Sequence, residues 1–360
     1  SLPLDGGGSG WGWRMFVACI ALTLPLVAGC ADLGYYLQSI DGQMQLLRAR
    51  QPIETVIADP VTPPALKGRL QRATAIRDFA SRELALPDNK SYRGYADLKR
   101  PYVVWNVFAA EEYSIEPKQW CFPFAGCVGY RGYFAQERAE AFARELRDEG
   151  LDVFVAGVPA YSTLGWFDDP VLNTFINYPE HELARLIFHE LAHQVVYLKG
   201  DSEFNESFAA TVEAAGVERW IAANGDERMR AEFARAQERR AQFSSLVLDF
   251  RERLATLYKE RIAPEDMRAR KAQAFVDLRR DYDALKEKMG GYAGYDRFFD
   301  GVNNAHFASI SIYTALVPQF QRLTVKHAGN LPAFYAEVKE IAALGKDERA
   351  LRLGVVAPVR

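Results

Sequence analysis

Two of the five histidines in the chain lie four residues apart, in the segment His189-Glu190-Leu191-Ala192-His193. Residues at this spacing project from one face of a helix, so both imidazoles can reach the same point. Imidazole nitrogens that converge in this way are common ligands of Zn²⁺. Glu190, beside the first histidine, is placed to take a proton from water held by such an ion. The pattern therefore predicts one zinc ion, with His189 and His193 as metal ligands and Glu190 as the catalytic base.

The residues around this motif predict a helix. The stretch 182–199 has no proline or glycine, and its Leu, Ile and Val residues recur mostly at three- and four-residue spacings. Pro179 lies near a plausible start, and Gly200 provides a plausible C-terminal cap. The motif is therefore expected inside a helix, as the chemistry requires. The alternative is a pair of hydrogen-bonded core histidines without a metal.

A zinc site of this kind needs a third protein ligand. A second helix is predicted over about 202–224, after a tight turn. If this helix folds back antiparallel, it brings Glu206 near His193. The same helix carries two competing carboxylates, Glu203 and Glu213.

A second pattern lies in residues 1–30. Residues 15–29 are uncharged and almost wholly apolar, follow Arg14, and end in Leu26-Val27-Ala28-Gly29-Cys30. A short apolar run after a positive charge is typical of an export signal and is too short for a permanent membrane span. The final five residues resemble a bacterial lipobox, which implies a signal peptide and a lipid on Cys30. An ordinary signal peptide or an anchor helix is the alternative.

The lipobox resemblance also predicts a location. In Gram-negative lipoproteins an aspartate directly after the lipidated cysteine commonly retains the protein at the inner membrane, and Ala31 stands there instead. We therefore expect a periplasmic protein held to a membrane by its N-terminal lipid, with the outer membrane favoured.

Export would leave Cys121 and Cys127 in an oxidising compartment. Pro123 and Gly126 lie between them and favour a turn of the chain. These features predict a disulfide bond. A metal site is the alternative, although no second cysteine pair or nearby histidine completes one.

The charge composition does not indicate a nucleic-acid partner. The chain has 44 basic and 47 acidic residues, for a net charge of −3. Basic residues cluster at 235–240 and 268–271, but acidic neighbours interleave with them, as on a solvated helical face.

The order of predicted elements favours an α+β, mostly helical fold in a single domain over 31–345. A helical lead-in over 31–100 precedes a strand-rich part over 101–170, and 180–345 is nearly all helix. The strand-rich part has its predicted strands near 102–108, 128–134 and 152–156 and a helix over 135–148. Two long charged segments, about 225–262 and 264–288, meet at Pro264 and predict a helical hairpin in the C-terminal lobe. Residues 346–360 are predicted as a tail.

Several long segments resemble a known family, the bacterial lipoproteins described as putative aminopeptidases. The similarity runs from Cys30 to about residue 345. It includes the segment with the two histidines, Ile187–Gln194, and the segment with Glu206, Phe204–Ala209. The two other segments are Trp120-Cys-Phe-Pro-Phe-Ala-Gly-Cys-Val-Gly-Tyr-Arg-Gly-Tyr-Phe134 and Thr163-Leu-Gly-Trp-Phe-Asp-Asp-Pro-Val-Leu-Asn-Thr174.

This resemblance implies a zincin-like peptidase that acts on peptides. In zincins a small mixed β-sheet precedes the motif helix, and its edge strand holds the peptide by main-chain hydrogen bonds. Residues 156–165 are the candidate edge. The pair Asn205-Glu206 resembles the asparagine-glutamate pair of thermolysin-like zincins, which implies that Glu206 is the third metal ligand.

Related zincins also use a tyrosine or histidine from a helical C-terminal lobe to stabilise the oxyanion. His306 and Tyr313 are the matching candidates for this catalytic role, although both could be packed helix residues.

Three functional alternatives remain open. An aminopeptidase needs a carboxylate for the free amine of the substrate, and Glu182, Asp168 and Asp169 are candidates. An endopeptidase would use the same mechanism. A non-catalytic zinc-binding lipoprotein, which acts through its helical hairpin, is the third, and the intact Glu190 argues against it.

Overall fold

The computed structural model describes residues 34–122, 126–160, 162–314 and 316–355. The chain divides into two compact units, Ser1–Arg48 and Ala49–Arg360. The described part of the first unit belongs to one helix, α1 (34–49). The second and larger unit begins at Ala49. The predicted signal peptide and Cys30 lie outside the described residues, and no helix in the described ranges is long and apolar enough to cross a membrane.

The strands of the second unit form three small sheets. In chain order the strands are β1 (Gln51–Pro52), β2 (Gly94–Ala96), β3 (Val104–Ala110), β4 (Trp120–Phe122), β5 (Gly126–Val128), β6 (Arg131–Tyr133), β7 (Asp152–Val158) and β8 (Val171–Leu172). The first sheet has the order β1-β2-β8, the second β6-β3-β7, and the third is the pair β4-β5. The sheet β6-β3-β7 is antiparallel throughout, and the expected mixed pairing occurs instead in β1-β2-β8.

Helices make up most of this unit, so the α+β, mostly helical class is confirmed. They are α2 (Ile53–Ala58), α3 (Pro64–Leu84), α4 (Gln136–Asp148), α5 (Glu180–Ala192), α6 (Ser202–Asn224), α7 (Glu227–Leu257), α8 (Pro264–Lys288), α9 (Asp296–Phe299), α10 (Asn304–Thr314), α11 (Val317–Lys326), α12 (Leu331–Ala342) and α13 (Lys346–Leu353).

The central strand β3 is buried along its whole length. Helix α4 and helix α10 both contact it, along with its neighbour β7. A strand covered on both faces has a continuous apolar run, and the sequence Val-Trp-Asn-Val-Phe-Ala-Ala is apolar except at Asn106. Strand β7 pairs with β3 from Val104↔Val158 to Ala110↔Asp152 and forms the edge of this sheet.

Helices α3, α5 and α6 pack into one aromatic core. The Phe79 ring of α3 lies 6.1 Å from the Phe188 ring of α5 and 5.1 Å from the Trp220 ring of α6. Trp220 also donates its indole N–H to the Glu180 carboxylate at 3.0 Å. The first residue of α5 is therefore tied to the last turns of α6, so the two helices run antiparallel.

The long helices α7 and α8 contact each other. Pro264 begins α8, a position at which proline loses no helical hydrogen bond. Phe250 and Leu254 of α7 are buried against Leu278 and Tyr282 of α8. The same cluster includes residues of α9 and α10, so these helices share a core with the body of the unit.

Residues 346–353, assigned from the sequence to a tail, form helix α13. Arg349 and Leu353 of this helix are buried. The Arg349 guanidinium donates to the Asp201 carboxylate at 3.0 Å, and Asp201 caps the N-terminus of α6. The helix is therefore part of the packed unit.

The motif helix ends earlier than the apolar pattern predicts. Helix α5 stops at Ala192, with His193 as its C-cap, whereas the pattern predicts a helix to Lys199. The backbone N–H of Leu198 donates to the Asn205 side-chain oxygen at 2.7 Å, and the Asn205 amide donates to the Leu198 carbonyl at 2.8 Å. These bonds hold the connecting segment in a turn, so the helix cannot continue.

The predicted disulfide bond is present and lies beside this turn. Cys121 and Cys127 are opposite each other in the pair β4-β5 and are bonded, with an S–S distance of 1.99 Å. Gly126 has a φ of +81° and lies against Gly200, which has a φ of +78°. A Cβ on Gly126 would come within 2.8 Å of the Gly200 Cα and N atoms. Glycine at 126 thus lets the β4-β5 pair support the turn between α5 and α6.

We expect Gly126→Ala to destabilise the protein more than Gly150→Ala. Gly150 has a similar φ of +85°, but a Cβ there would have no other atoms within 4 Å, so its change reports the left-handed backbone penalty of about 1–2 kcal/mol alone. Gly126→Ala adds the collision with the Gly200 backbone, which costs about 1–3 kcal/mol more. Urea unfolding of both variants measures the difference. Equal losses would show that the two backbones are not in tight contact.

Candidate functional site

Ligand atoms from three residues converge between α5 and α6. The Nε2 atoms of His189 and His193 lie 3.2 Å apart, and the Glu206 carboxylate lies 3.2 Å from the first and 3.7 Å from the second. Among the described residues, these three form the one group whose ligand atoms could hold a metal ion, with all atoms within 4.8 Å of one another. The structure therefore brings together the three residues that the sequence predicts as ligands.

The spacing of these atoms fits a tetrahedral ion. Nitrogen and oxygen ligands at the usual zinc distances lie roughly 3.3–3.5 Å from one another around a tetrahedron. The three observed separations span that value. Two imidazoles and one carboxylate also leave a fourth position for water, as sites that activate water require.

Glu206 differs from the two competing carboxylates, Glu203 and Glu213, in its position relative to the histidines. Glu213 contacts the other ring nitrogen of His189, with Nδ1 donating to its carboxylate at 2.8 Å. Glu203 lies on the exposed side of α6 and is not part of the group. Because Nδ1 is engaged by Glu213, Nε2 is the atom of His189 that faces Glu206 and His193 and would bind an ion there.

A chain of charges extends from Glu213 away from the cluster. Arg185 donates from Nη1 to both Glu213 oxygens, at 3.2 and 3.3 Å, and from Nε to Glu182 at 2.7 Å. Arg240 of α7 donates to the other Glu182 oxygen at 2.7 Å. The orientation of His189 is thus determined by groups on α5, α6 and α7 together.

The electrostatic environment favours a positive charge at the cluster. Burial would raise the pKa of Glu213, but Arg185 and His189 lower it to about 2, so this carboxylate is ionised. Burial would also lower the pKa of His189, but Glu206 and Glu213 raise it well above 6.5. A proton or a metal ion can supply the positive charge that these carboxylates stabilise.

Glu190 differs from Glu206 and Glu213 because, in the described part of the structure, neither a histidine nor an arginine forms an ion pair with it. Burial raises the pKa of Glu190 to about 7, and the nearby negative charge of Glu206 adds to the shift. A carboxyl group with a pKa near neutrality can both accept and return a proton, which suits general acid–base chemistry.

A cavity of about 370 Å³ contains these groups. One wall comes from the end of β7 and the residues after it, and the opposite wall comes from α5 and the turn that follows. Besides the cluster, the lining includes Glu190, Asn106, Tyr130, Val158, Leu164 and Tyr197. The predicted edge segment 156–165 therefore does border the cavity. An extended chain beside β7 would pass His189 and Glu190.

His306 is placed in the core and not in this cavity. Its ring stacks on Phe154 at 3.9 Å, and its Nδ1 atom accepts the backbone N–H of Asn303 at 3.1 Å. Burial lowers the pKa of His306 to about 4, so the ring is neutral. These contacts are those of a packed core histidine, and they give no support to the predicted catalytic role. Tyr313 lies in helix α10, and its side chain is outside the described part of the structure.

The three predicted amine anchors are each engaged elsewhere. Glu182 accepts from two arginines, and Asp168 faces Arg50 at 3.7 Å. Asp169 is buried and accepts from the backbone and hydroxyl of Thr163. Of the described residues that line the cavity, only Glu190 and Glu206 are acidic.

Sequence reasoning missed Tyr197 and the role of Glu213. Tyr197 follows His193 by four residues, the same spacing that separates the two histidines, and its side chain lines the cavity. Burial raises the pKa of Tyr197, and the Glu206 charge adds to the effect. A helix extended to Lys199 would place residues 189, 193 and 197 on one face, which is the available signal for Tyr197 although α5 ends before it. Glu213 follows Glu206 by seven residues, a spacing that places both carboxylates on the same face of α6.

The chain also matches a known protein family. The family model described as putative aminopeptidase matches residues 34–353. The chain belongs to this family. Membership supports a peptidase-type function, with a peptide as substrate. No curated protein and no solved structure matches the chain.

We expect Glu213→Gln to destabilise the protein by about 3 kcal/mol, because it removes the buried carboxylate that Arg185 and His189 share and leaves each with one remaining partner, Glu182 and Glu206 respectively. The control is Glu232→Gln, which removes the pair with Arg228 on the exposed surface of α7 and should change the stability little, because water screens exposed pairs. Urea unfolding followed by circular dichroism measures both. Similar small losses in the two variants would show that Glu213 does not hold the buried network.

Proposed function

We propose that this protein is a zinc-dependent peptidase in which His189, His193 and Glu206 hold the ion. The observation that carries the proposal is the convergence of two Nε2 atoms at 3.2 Å with a carboxylate at 3.2 Å, inside a cavity. Family membership supports the peptide substrate. When bound, zinc lowers the pKa of water toward neutrality and polarises the scissile carbonyl.

Glu190 is the general base in this proposal. Its carboxylate accepts the proton of the attacking water and then donates it to the leaving amine. The pKa of about 7 that burial gives this group allows both transfers near neutral pH. An intact Glu190 argues for an enzyme, since a structural site has no need of that carboxylate.

Tyr197 is the donor that we assign to the developing oxyanion. Its phenol lines the cavity on the turn after His193, close enough for the Glu206 charge to affect its pKa. The raised pKa keeps the phenol protonated at neutral pH, so it can donate. His306 stacks on Phe154, away from the cavity lining, and does not compete for this role.

The fold and location that we propose follow the sequence. The order of a small sheet, the motif helix and a helical lobe with the paired helices α7 and α8 supports a zincin-like architecture. The apolar run and the sequence before Cys30 support a lipid-anchored protein of the bacterial periplasm, with the outer membrane favoured. The bond between Cys121 and Cys127 suits that oxidising compartment.

An endopeptidase is the second candidate, and one observation favours it. The only acidic residues that line the described cavity are the proposed ligand Glu206 and the proposed base Glu190. A third carboxylate, which could bind the free amine of a substrate, is not among them. Aminopeptidase activity would then need recognition of the terminus by another group.

We expect Glu190→Gln to retain zinc and to lose about 10³-fold in kcat, because the amide keeps the shape of the side chain but cannot accept a proton. Zinc content by mass spectrometry and hydrolysis of peptides with free or blocked N-termini are the measurements. Glu206→Gln should lose zinc, whereas Glu203→Gln, on the exposed side of the same helix, should keep both zinc and activity.

A wild-type protein that binds no zinc would contradict the metal assignment. A wild type that binds zinc but cleaves neither kind of peptide would favour a non-catalytic binding protein. Cleavage of blocked peptides would select the endopeptidase.

We expect Tyr197→Phe to lower kcat by about 10²-fold with little change in KM or zinc content, because the phenol acts on charge that develops only in the transition state. The readouts are steady-state kinetics and the affinity of a phosphinic peptide that imitates the tetrahedral state. A higher KM with unchanged kcat, and with the affinity for the phosphinic peptide unchanged, would assign Tyr197 to substrate binding instead.

A further inference from the structure

Two adjacent aromatic side chains beside the cavity are exposed to solvent. Trp166 is 84% exposed and Phe167 is 46% exposed. Single exposed apolar residues are common on protein surfaces, but neighbouring large aromatics form a patch that usually has a partner. Both lie in the segment Thr163–Thr174, which neither the metal cluster nor the proposed base explains.

Hydrogen bonds within the loop that carries these two residues hold its conformation. The Asp169 carboxylate, in a residue only 4% exposed, accepts the Thr163 backbone N–H at 3.0 Å and its hydroxyl at 2.7 Å. The Thr163 hydroxyl oxygen in turn accepts the Phe167 N–H at 3.1 Å, and the Thr163 carbonyl accepts the Trp166 N–H at 3.0 Å. The two aromatics are therefore presented by a closed hydrogen-bonded turn and not by a loose connection.

The backbone of this turn is also strained. Leu164 has a φ of +58°, in the left-handed region that residues other than glycine rarely adopt. Buried carboxylates and left-handed non-glycine residues are unfavourable and concentrate at functional sites. Here both features hold apolar rings in solvent, which stability alone would not favour.

The turn is continuous with the wall of the cavity. Ser162 and Leu164 line the cavity, together with Val158 at the end of the edge strand β7. A Cβ on Gly165 would lie 3.6 Å from the side-chain oxygen of Gln194, the residue that follows His193. Trp166 and Phe167 thus lie within a few residues of contacts to both cavity walls.

We propose that Trp166 and Phe167 bind an apolar side chain of the peptide substrate at the rim of the cavity. This inference rests on the proposed peptidase function. Rigid aromatic rings offer a large contact area and lose little side-chain entropy on binding. A substrate with an apolar or aromatic residue at the matching position is therefore selected over one with a small polar residue there.

A lipid surface is the other occupant that exposed aromatics can suit, and the charges disfavour it. Asp168 and Asp169 directly follow the aromatics, and Arg50 faces Asp168 at 3.7 Å. Binding to anionic lipid needs unpaired basic residues beside the apolar contact. Since Arg50 is paired with Asp168, it is not free to bind lipid phosphate, and the adjoining cavity favours the peptide.

The first test compares substrates. Peptide pairs that differ by Phe or Ser at successive positions around the scissile bond locate the subsite in the wild type. The ratio of kcat/KM for Phe over Ser at that position should fall about 10-fold in Trp166→Ala, mainly through KM for the Phe peptide. Trp166→Phe should keep most of the preference. Val325→Ala, at a 78% exposed site outside the cavity lining, should not change it. An unchanged ratio in Trp166→Ala overturns the proposal.

The second test measures binding without turnover. Acrylamide quenching in the Glu190→Gln protein, with and without Trp166→Phe, isolates the signal of Trp166 from the other five of the six tryptophans. Protection by the Phe peptide and not by the Ser peptide supports the proposal. Protection by phosphatidylglycerol vesicles and not by peptide overturns it and assigns the loop to a membrane.

These measurements distinguish a failure of the proposed peptidase function from a failure of the proposed aromatic subsite. A wild type that cleaves no peptide but whose Trp166 is protected by the Phe peptide contradicts the catalytic function and retains the binding surface. A wild type that cleaves peptides with no preference that depends on Trp166 retains the peptidase and overturns the subsite.

Discussion

One asparagine side chain determines where the two ligand-bearing helices meet. Asn205 binds both the N–H and the carbonyl of Leu198, at 2.7 and 2.8 Å, and is itself buried. A helix continued to Lys199 would carry the chain roughly 10 Å past His193 before it could turn. The two hydrogen bonds instead hold the chain in a compact turn directly after His193. Glu206 directly follows Asn205 in the chain, so the same two hydrogen bonds determine how Glu206 approaches the histidines.

Burial of several carboxylates in one place needs compensation, and the surrounding helices provide it. Glu206 and Glu213 both contact His189. Arg185, which lies one helical turn before His189 on α5, pairs with Glu213. An uncompensated buried charge would be strongly destabilising, whereas a chain of alternating charges is tolerated. Arg240 links this chain to α7, so the long helix also contributes to the site. Glu190 has no such partner among the described residues, so burial raises its pKa to about 7, whereas the pKa of Glu213 falls to about 2.

The parts of the site that the sequence predicts well are local in the chain. The histidine spacing needs only a helix, and the spacing of Cys121 and Cys127 needs only a short turn. The approach of Glu206 needs only a tight connection between consecutive helices. Glu206 and Glu213 lie seven residues apart on one face of α6, so both turn toward α5 together. Which residue of α5 Glu213 contacts depends on how the two helices are aligned along their lengths, and periodicity does not report that alignment.

The position of His306 in the core has a different physical cause. The likeness to related zincins suggests a catalytic histidine here, and Asn303 and Asn304 precede it in the chain. In the structure these amides donate to the backbone carbonyls of Val153, Glu111 and Glu112, at 3.1, 3.2 and 2.9 Å. Polar residues are needed there because the ends of strands leave buried carbonyls without partners. The same residue types therefore serve structure, and sequence alone does not separate the two uses.

The edge of the sheet links the fold to the substrate. In the described part of the structure, β7 pairs on one side with β3 and has no strand on its other side. Open edges invite pairing with other chains, and proteins normally shorten or cover them. Here Asn303 covers the carbonyl of Val153 near the start of β7, while the far end of the strand runs into the cavity at Val158. An open edge that leads to His189 and Glu190 is suited to an extended peptide, because main-chain hydrogen bonds can hold it whatever its sequence. Sequence preference must then come from side-chain contacts at the rim, where the turn at Thr163 presents its two aromatic rings.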